Sequence, residues 1–125
     1  MEIEYLHKDE TQKIIGLCYE VHNNLGKGLL EIVYKDALQY EFELNNIIYE
    51  REKECLVVYK GKILQHKFYA DFVVANKVIL EVKSVSNIVD QYYSQVINYL
   101  RISKLRIGLV VNSGSDSVQI KRIVL

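Results

Sequence analysis

Asp71, Glu81 and Lys83 are the residues of this 125-residue chain whose types and spacing could do chemistry together. They lie in one stretch, Lys67-Phe68-Tyr69-Ala70-Asp71-Phe72-Val73-Val74-Ala75-Asn76-Lys77-Val78-Ile79-Leu80-Glu81-Val82-Lys83. Alternating apolar residues on either side of Asn76 predict two antiparallel strands joined by a three-residue loop. In that register Val74 faces Val78, Phe72 faces Leu80, Ala70 faces Val82 and Asp71 faces Glu81. One side of the hairpin then carries Phe68, Ala70, Phe72, Val74, Val78, Leu80 and Val82; the other carries Tyr69, Asp71, Val73, Ile79, Glu81 and Lys83. A slip of one residue would separate the two acids and spoil both faces, so the apolar pattern sets the register.

Two carboxylates directly opposite each other have Cβ atoms ~4.5–5.5 Å apart and destabilise a sheet unless something neutralises them. A divalent cation with oxygen ligands at ~2.0–2.1 Å is the natural neutraliser, and Mg²⁺ takes one or two carboxylates with waters and substrate phosphate. Lys83 projects on the same face, where it could bind a scissile phosphate or help deprotonate a water that the metal acidifies. The competing reading is a solvent-facing Glu-x-Lys pair with Asp71 as a surface residue. Asp71 standing in register among apolar strand residues favours the metal site.

Three further positions carry two readings each. Gln95 and Tyr99 form an i, i+4 pair on the flank of a helix. Spacing alone favours a surface Gln and a Tyr at the core edge, with contact to substrate or metal-bound water as the other reading. Glu31 falls in the first turn of a predicted helix, where the dipole favours a carboxylate by ~0.3–1 kcal/mol whatever its function. It reads equally as a metal ligand and as a helix-start residue, with Glu20 and His22 as the alternatives from the preceding helix. His22 shares an apolar stripe and reads as a satisfied core histidine. His7 and His66 enter no constellation, and no zinc spacing, phosphate-binding Gly-rich loop or Ser/His/Asp arrangement is present in the sequence.

The elements that must position these residues follow from periodicity. A helix is predicted from about Asp9 to Leu25, with Ile14, Ile15, Cys18, Val21, His22 and Leu25 on its stripe. Asp9 with Gln12 resembles a capping box, and Gly26 is placed to end the helix with a left-handed residue. A second helix is expected from about Leu29 to Leu44, with Leu30, Val33, Ala37 and Leu44 on one face. Strands follow near Ile47–Arg51, Glu54–Lys60, Ile63–Ala75 (either continuous or broken) and Val78–Lys83, with turns at Lys60-Gly61 and Asn76-Lys77. A third helix spans about Asn87 to Ser103, its stripe formed by Val89, Tyr93, Val96, Ile97 and Leu100. Arg106–Asn112 has the pattern of a strand buried on both faces, and Val118–Val124 is the last strand. The order ααββββαββ implies an α/β domain with a mixed sheet flanked by helices.

Length and composition fit one soluble domain over residues 1–125. No segment approaches the ~18 to 20 apolar residues of a membrane span, and the acidic start is unlike a signal peptide. Cys18 and Cys55 read as buried thiols of a reducing cytoplasm. The net charge is zero, but residues 1–54 carry 12 Asp/Glu against 6 Lys/Arg, and residues 55–125 carry 10 Lys/Arg against 4 Asp/Glu. That asymmetry gives either one phosphate-binding face or an even mixture of solvated charges, with the even mixture slightly favoured.

With Asp71, Glu81-Val82-Lys83 and Gln95-x-x-x-Tyr99 in that order, the chain resembles the PD-(D/E)XK nuclease superfamily, in the branch of RecB-type exonucleases. Gly28-Leu29-Leu30-Glu31-Ile32-Val33-Tyr34, preceded by Glu20-Val21-His22 and Leu25-Gly26, resembles the signature of the GxxExxY family. The resemblance runs from about Thr11 to Val124; Ala70 stands where the literal motif has Pro. It implies a restriction-endonuclease-like core, with Asp71, Glu81 and Glu31 holding Mg²⁺ or Mn²⁺, Lys83 acting on the attacking water, and Gln95 and Tyr99 supporting it. The expected activity is phosphodiester hydrolysis on DNA, with a junction-resolving enzyme as a variant and a catalytically silent scaffold as the alternative. A chain this small would dimerise to act on both strands of a duplex.

Overall fold

The computed structural model describes residues 7–125; the first six residues of the acidic start lie outside them. Helices α1 (Lys8–Leu25) and α2 (Glu31–Leu44) precede strands β1 (Tyr49–Cys55), β2 (Val58–Tyr59), β3 (Lys62–Ile63), β4 (Phe68–Val74) and β5 (Val78–Lys83). Helix α3 (Asp90–Ser103) and strands β6 (Ile107–Asn112) and β7 (Gln119–Val124) complete the order. Five strands form one sheet in the order β1-β4-β5-β6-β7, and β2 and β3 form a separate two-stranded ribbon. Every pairing is antiparallel except β5–β6. A parallel pair cannot be joined by a tight turn, and α3 supplies the crossover. The expected mixed sheet with helical cover is therefore present, with one more strand than the sequence order implied.

The sheet has apolar layers on both sides. Ile14, Cys18 and Val21 of α1 and Tyr34, Leu38 and Phe42 of α2 pack on Phe72, Val74, Val78, Leu80, Val82, Leu109 and Val111. Val96, Tyr99 and Leu100 of α3 pack on Ala70, Val73, Ile79 and Val110 across the sheet. All six residues of β6 are buried, as its nearly unbroken apolar run implies. Gly108 allows α3 its close approach: a Cβ there would lie 2.3 Å from Val96 Cγ1.

Several local expectations are corrected. The stripe predicted on α2 has the wrong phase: Leu30 is 73% exposed and Leu44 57% exposed, while Tyr34, Lys35, Leu38 and Phe42 are buried. The helix turns its aromatic and longer residues inward and leaves an apolar flank outside. Val89 likewise lies outside α3, as that helix's extended N-cap. The capping box does not form, because α1 starts at Lys8 with His7 as a cap that makes no side-chain bond. Gly26 does end α1, at φ 76° and ψ −173°, a conformation essentially confined to glycine. The segments expected as Ile47–Arg51 and Glu54–Lys60 are one strand, β1, followed by the short ribbon. Finally, Phe68 and Ala70 lie with the α3 layer rather than beside Phe72. Strand β4 changes face at Asp71.

Candidate active site

That change of face is where the site is built. Near the turn the β4–β5 hairpin has the predicted register, with Val74 opposite Val78, Val73 opposite Ile79 and Phe72 opposite Leu80. Pairing then stops, and side chains take over. The Asp71 amide donates to Glu81 Oε1 at 3.1 Å, and the Val82 amide donates to Asp71 Oδ2 at 2.8 Å. Each carboxylate thus stands in for a backbone carbonyl, which holds both acids against the opened ladder. Glu81 is buried, at 3% exposure. Its carboxyl is pushed up to about 8, first by burial, then by the Asp71 charge and a carboxyl–carboxyl hydrogen bond with Asp71. The Asp71 amide and the Lys83 charge oppose that rise.

On the far side of Asp71 lies Lys35, which the sequence reading missed. Its side chain is 11% exposed, and its ammonium donates to Asp71 Oδ1 at 3.0 Å and to Glu52 Oε1. Burial pulls its pKa down, but hydrogen bonds and charges from Glu52 and Asp71 outweigh that, and the net shift is upward. It therefore stays an ammonium at neutral pH. Glu52 has φ 52°, and the β1–β4 ladder passes from Arg51 opposite Phe72 to Lys53 opposite Ala70 without a pair at Glu52 and Asp71. Both neighbours of β4 thus lose their pairing at the same residue. Lys35 was legible in principle, since Lys35, Leu38 and Phe42 follow i, i+3, i+7 spacing and a lysine in an apolar stripe signals a buried partner. Nothing in the alternating charges of Glu50–Glu54 marks Glu52.

Lys83 ends β5 and stands over the Tyr92 ring, 4.7 Å from its centroid. With Gln91, Tyr92, Ser94, Gln95 and Asn98 it lines an open cleft of about 430 Å³ along α3. Gln95 Nε2 donates to Tyr99 Oη at 3.2 Å. Tyr99 is buried in the α3 layer, edge-on to Phe68, and its hydroxyl is pushed up to about 12 by burial and by the charge of Glu81. Gln95 is half-buried. Helix α3 therefore carries Gln95 in the Lys83 cleft and Tyr99 inside, next to the field of Glu81.

Glu31 is the first residue of α2, half-buried, one helical turn before Lys35 and on the same face. The preceding loop is tied down at both ends. Tyr34 Oη donates to the Gly26 carbonyl at 2.6 Å and accepts from the Leu29 amide at 3.1 Å, while Ser84 Oγ, just after Lys83, donates to the Leu29 carbonyl at 2.5 Å. The start of α2 is thereby anchored to the end of β5. Even so, among the described residues no three His, Cys, Asp or Glu side chains form a group able to hold a metal ion. The structure brings Asp71 and Glu81 together, with Lys83 in electrostatic reach, and does not assemble Glu31 with them. Glu20 is on an exposed part of α1, bonded by Asn24, and His22 Nε2 lies 3.0 Å from the Ser115 carbonyl oxygen as a satisfied, half-buried histidine. Cys18 and Cys55 are both buried and free, as expected.

A hard divalent cation suits this donor set. The buried Glu81 carboxyl lies against the half-buried Asp71 carboxylate, burial and the Asp71 charge push Glu81 toward its protonated form, and an ammonium is already drawn to Asp71; the pocket favours positive charge. Asp71 and Glu81 would hold such an ion.

A five-stranded mixed sheet flanked by helices, with an Asp and a Glu-x-Lys on adjacent antiparallel strands, is the architecture of a restriction-endonuclease-like fold. The chain belongs to the PD-(D/E)XK nuclease superfamily, whose family model matches residues 8–123. The crystal structure of SSO0001 is similar in fold, with a TM-score of 0.57 and 23% identity over 75% of this chain and 50% of that one. This chain thus spans about half the length of that protein. No curated protein matches the chain. Among the described residues no helix is long and apolar enough to cross a membrane.

Proposed function

We propose that this chain is a nuclease that hydrolyses phosphodiester bonds in DNA with a divalent cation, Mg²⁺ or Mn²⁺, held by Asp71 and Glu81. The observation that carries the proposal is the opened end of the β4–β5 hairpin, where two acids face each other in a buried setting beside a lysine. When bound, the cation would polarise the phosphate and acidify an attacking water. Asp71 is held in place by the Val82 amide and Lys35, so its orientation is set before any ligand arrives. Lys83 would bind the phosphate or orient the water, with the Tyr92 ring steering its ammonium. Gln95 would contact the substrate backbone from the cleft, and Tyr99 would brace Gln95. Glu31 would join from the start of α2 once substrate and cation draw it in. The Tyr34 and Ser84 tethers of the Gly28–Tyr34 segment support assignment to the GxxExxY family, and the Gln95–Tyr99 bond supports the RecB-type branch. We place residues 1–125 in one cytoplasmic domain that acts on duplex DNA as a homodimer.

A second reading has one observation in its favour. Lys35 already neutralises Asp71, and among the described residues no third acid joins the pair, which suits a silent nuclease-fold scaffold that binds nucleic acid or a protein. Cleavage of linear, nicked, single-stranded and branched DNA, with Asp71→Ala and Lys83→Ala beside the wild type, separates the two. Divalent-dependent cutting that falls at least a hundredfold in both variants is the outcome expected of the nuclease. Equal residual cutting by all three proteins rejects it.

A further inference from the structure

The segment 56–67 is an outgrowth from the sheet: Leu56-Val57-Val58-Tyr59-Lys60-Gly61-Lys62-Ile63-Leu64-Gln65-His66-Lys67, folded as the β2–β3 ribbon with its tip at Lys60-Gly61. Every residue of it is exposed except the half-buried Val57. Val58 is 62% exposed, Tyr59 59% and Ile63 55%. An isolated two-stranded ribbon is marginal by itself, and one that leaves its apolar side chains in water has a surface ready for a partner.

Charge decides which partner. The segment holds three lysines and no Asp or Glu, within a chain whose net charge is zero. Lys67 pairs with Glu54 at its base, but among the described residues neither Lys60 nor Lys62 has a carboxylate partner; Lys60 lies over the Tyr59 ring, 5.5 Å from its centroid. A second copy seated symmetrically on this surface would set the same patch against itself, bringing like charges together. A polyanion would not. Duplex DNA is a polyanion whose major groove admits a two-stranded ribbon, with phosphates for the lysines and base and sugar edges for Val58, Tyr59 and Ile63.

Position agrees with charge. The ribbon leaves the sheet at the Cys55–Phe68 pair, three residues along β4 from Asp71. At ~3.3 Å per residue its base is roughly 10 Å from that carboxylate, about three base-pair steps of DNA. We infer that the β2–β3 ribbon is the DNA grip of this protein, entering a groove with Lys60 and Lys62 on phosphates and so setting the strand across Asp71 and Glu81. The inference rests on the nuclease reading of that site and gives it a substrate-binding surface.

The test is fluorescence anisotropy of the full chain with a labelled DNA duplex over a range of salt, without divalent cation. The ribbon variant K60E/K62E is compared with K13E/K121E, which carries the same charge change on exposed lysines elsewhere. The ribbon variant should lose at least tenfold in affinity and about two from the slope of log K against log salt. The control should lose less than threefold, and thermal midpoints should match wild type. In cleavage, the ribbon variant should raise KM and keep kcat. Equal losses in both variants, or none in either, would overturn the inference while leaving Asp71-dependent cutting intact. So would a Val58→Ser/Ile63→Ser variant that turns a dimer into a monomer with DNA affinity unchanged, since the ribbon would then be a self-association surface. A wild type that neither binds nor cuts DNA at low salt would overturn the ribbon and the nuclease reading together.

Discussion

The β4–β5 hairpin has two halves with opposite constructions. Beside the turn, Phe72, Val73 and Val74 pair in regular register with Leu80, Ile79 and Val78, and all six are buried. At the next residue, Asp71, the ladder opens, carboxylates replace carbonyls as acceptors, and an ammonium from α2 enters. The first half holds the layers of the protein together, and the second keeps two acids close at a cost in stability. Regular pairing on one side sits directly against the side that holds two acids at short range.

Substitutions on the two halves should therefore differ in kind. The largest loss of stability belongs to the regular half. Phe72 is fully buried between α2 and the sheet, edge-on to Phe42 with ring centroids 5.4 Å apart. Phe72→Ala should lower stability by about 3–5 kcal/mol in denaturant unfolding, through lost burial and the cavity left behind. A loss under about 1 kcal/mol would mean that this half does not bear the load.

Acidity should reveal the open half. The folded-state pKa of Glu81, about 8, lies above the carboxylate's ordinary 4.5. Between those values the folded chain binds the proton more tightly than the unfolded chain. Stability from this group is thus fully present below about pH 4.5 and is lost as pH rises to about 8. In metal-free buffer the thermal midpoint should fall by several degrees across that window, and Glu81→Gln should flatten the curve. A wild-type profile that rises through the window would contradict the buried, protonated acid.

Lys35→Met should come next, at about 1.5–3 kcal/mol, because Asp71 loses a charge-assisted bond. Mg²⁺ should recover part of that loss by restoring a cation beside Asp71. A thermal melt with and without the ion reads both effects, and equal melts would sever Lys35 from the site. The smallest change is at the turn, where Ala75 has φ 55°. Ala75→Gly should gain about 0.5–1 kcal/mol by relieving a left-handed alanine.

The regular half was legible in the sequence because period-two alternation is a statement about burial, and burial fixes register. The nearness of Asp71 and Glu81 was read from that register. Helical spacing alone favoured a surface Gln95 and a core-edge Tyr99, and the site reading of that pair came from the family resemblance. What escaped was any feature that breaks periodicity. The change of face at Asp71, which carries Phe68 and Ala70 to the α3 layer, coincides with a positive φ at Glu52 in β1, and no residue preference announces it. The phase of α2 escaped because Leu30, Val33 and Leu44 offered an apolar stripe as good as the one formed by Tyr34, Leu38 and Phe42. With that phase wrong, Lys35 was out of view. The extra ribbon was merged with its neighbouring strands because Val58, Tyr59 and Ile63 have the composition of buried strand residues while lying in water.

Calorimetric titration of Mn²⁺ into the protein at pH 7, in two buffers of different ionisation enthalpy, addresses the cation site itself. One ion per chain should bind, with close to one proton released as Glu81 gives up its hydrogen, and Asp71→Ala should abolish the heat. Binding that survives in Asp71→Ala, or that releases no proton, would contradict a site built from these two acids.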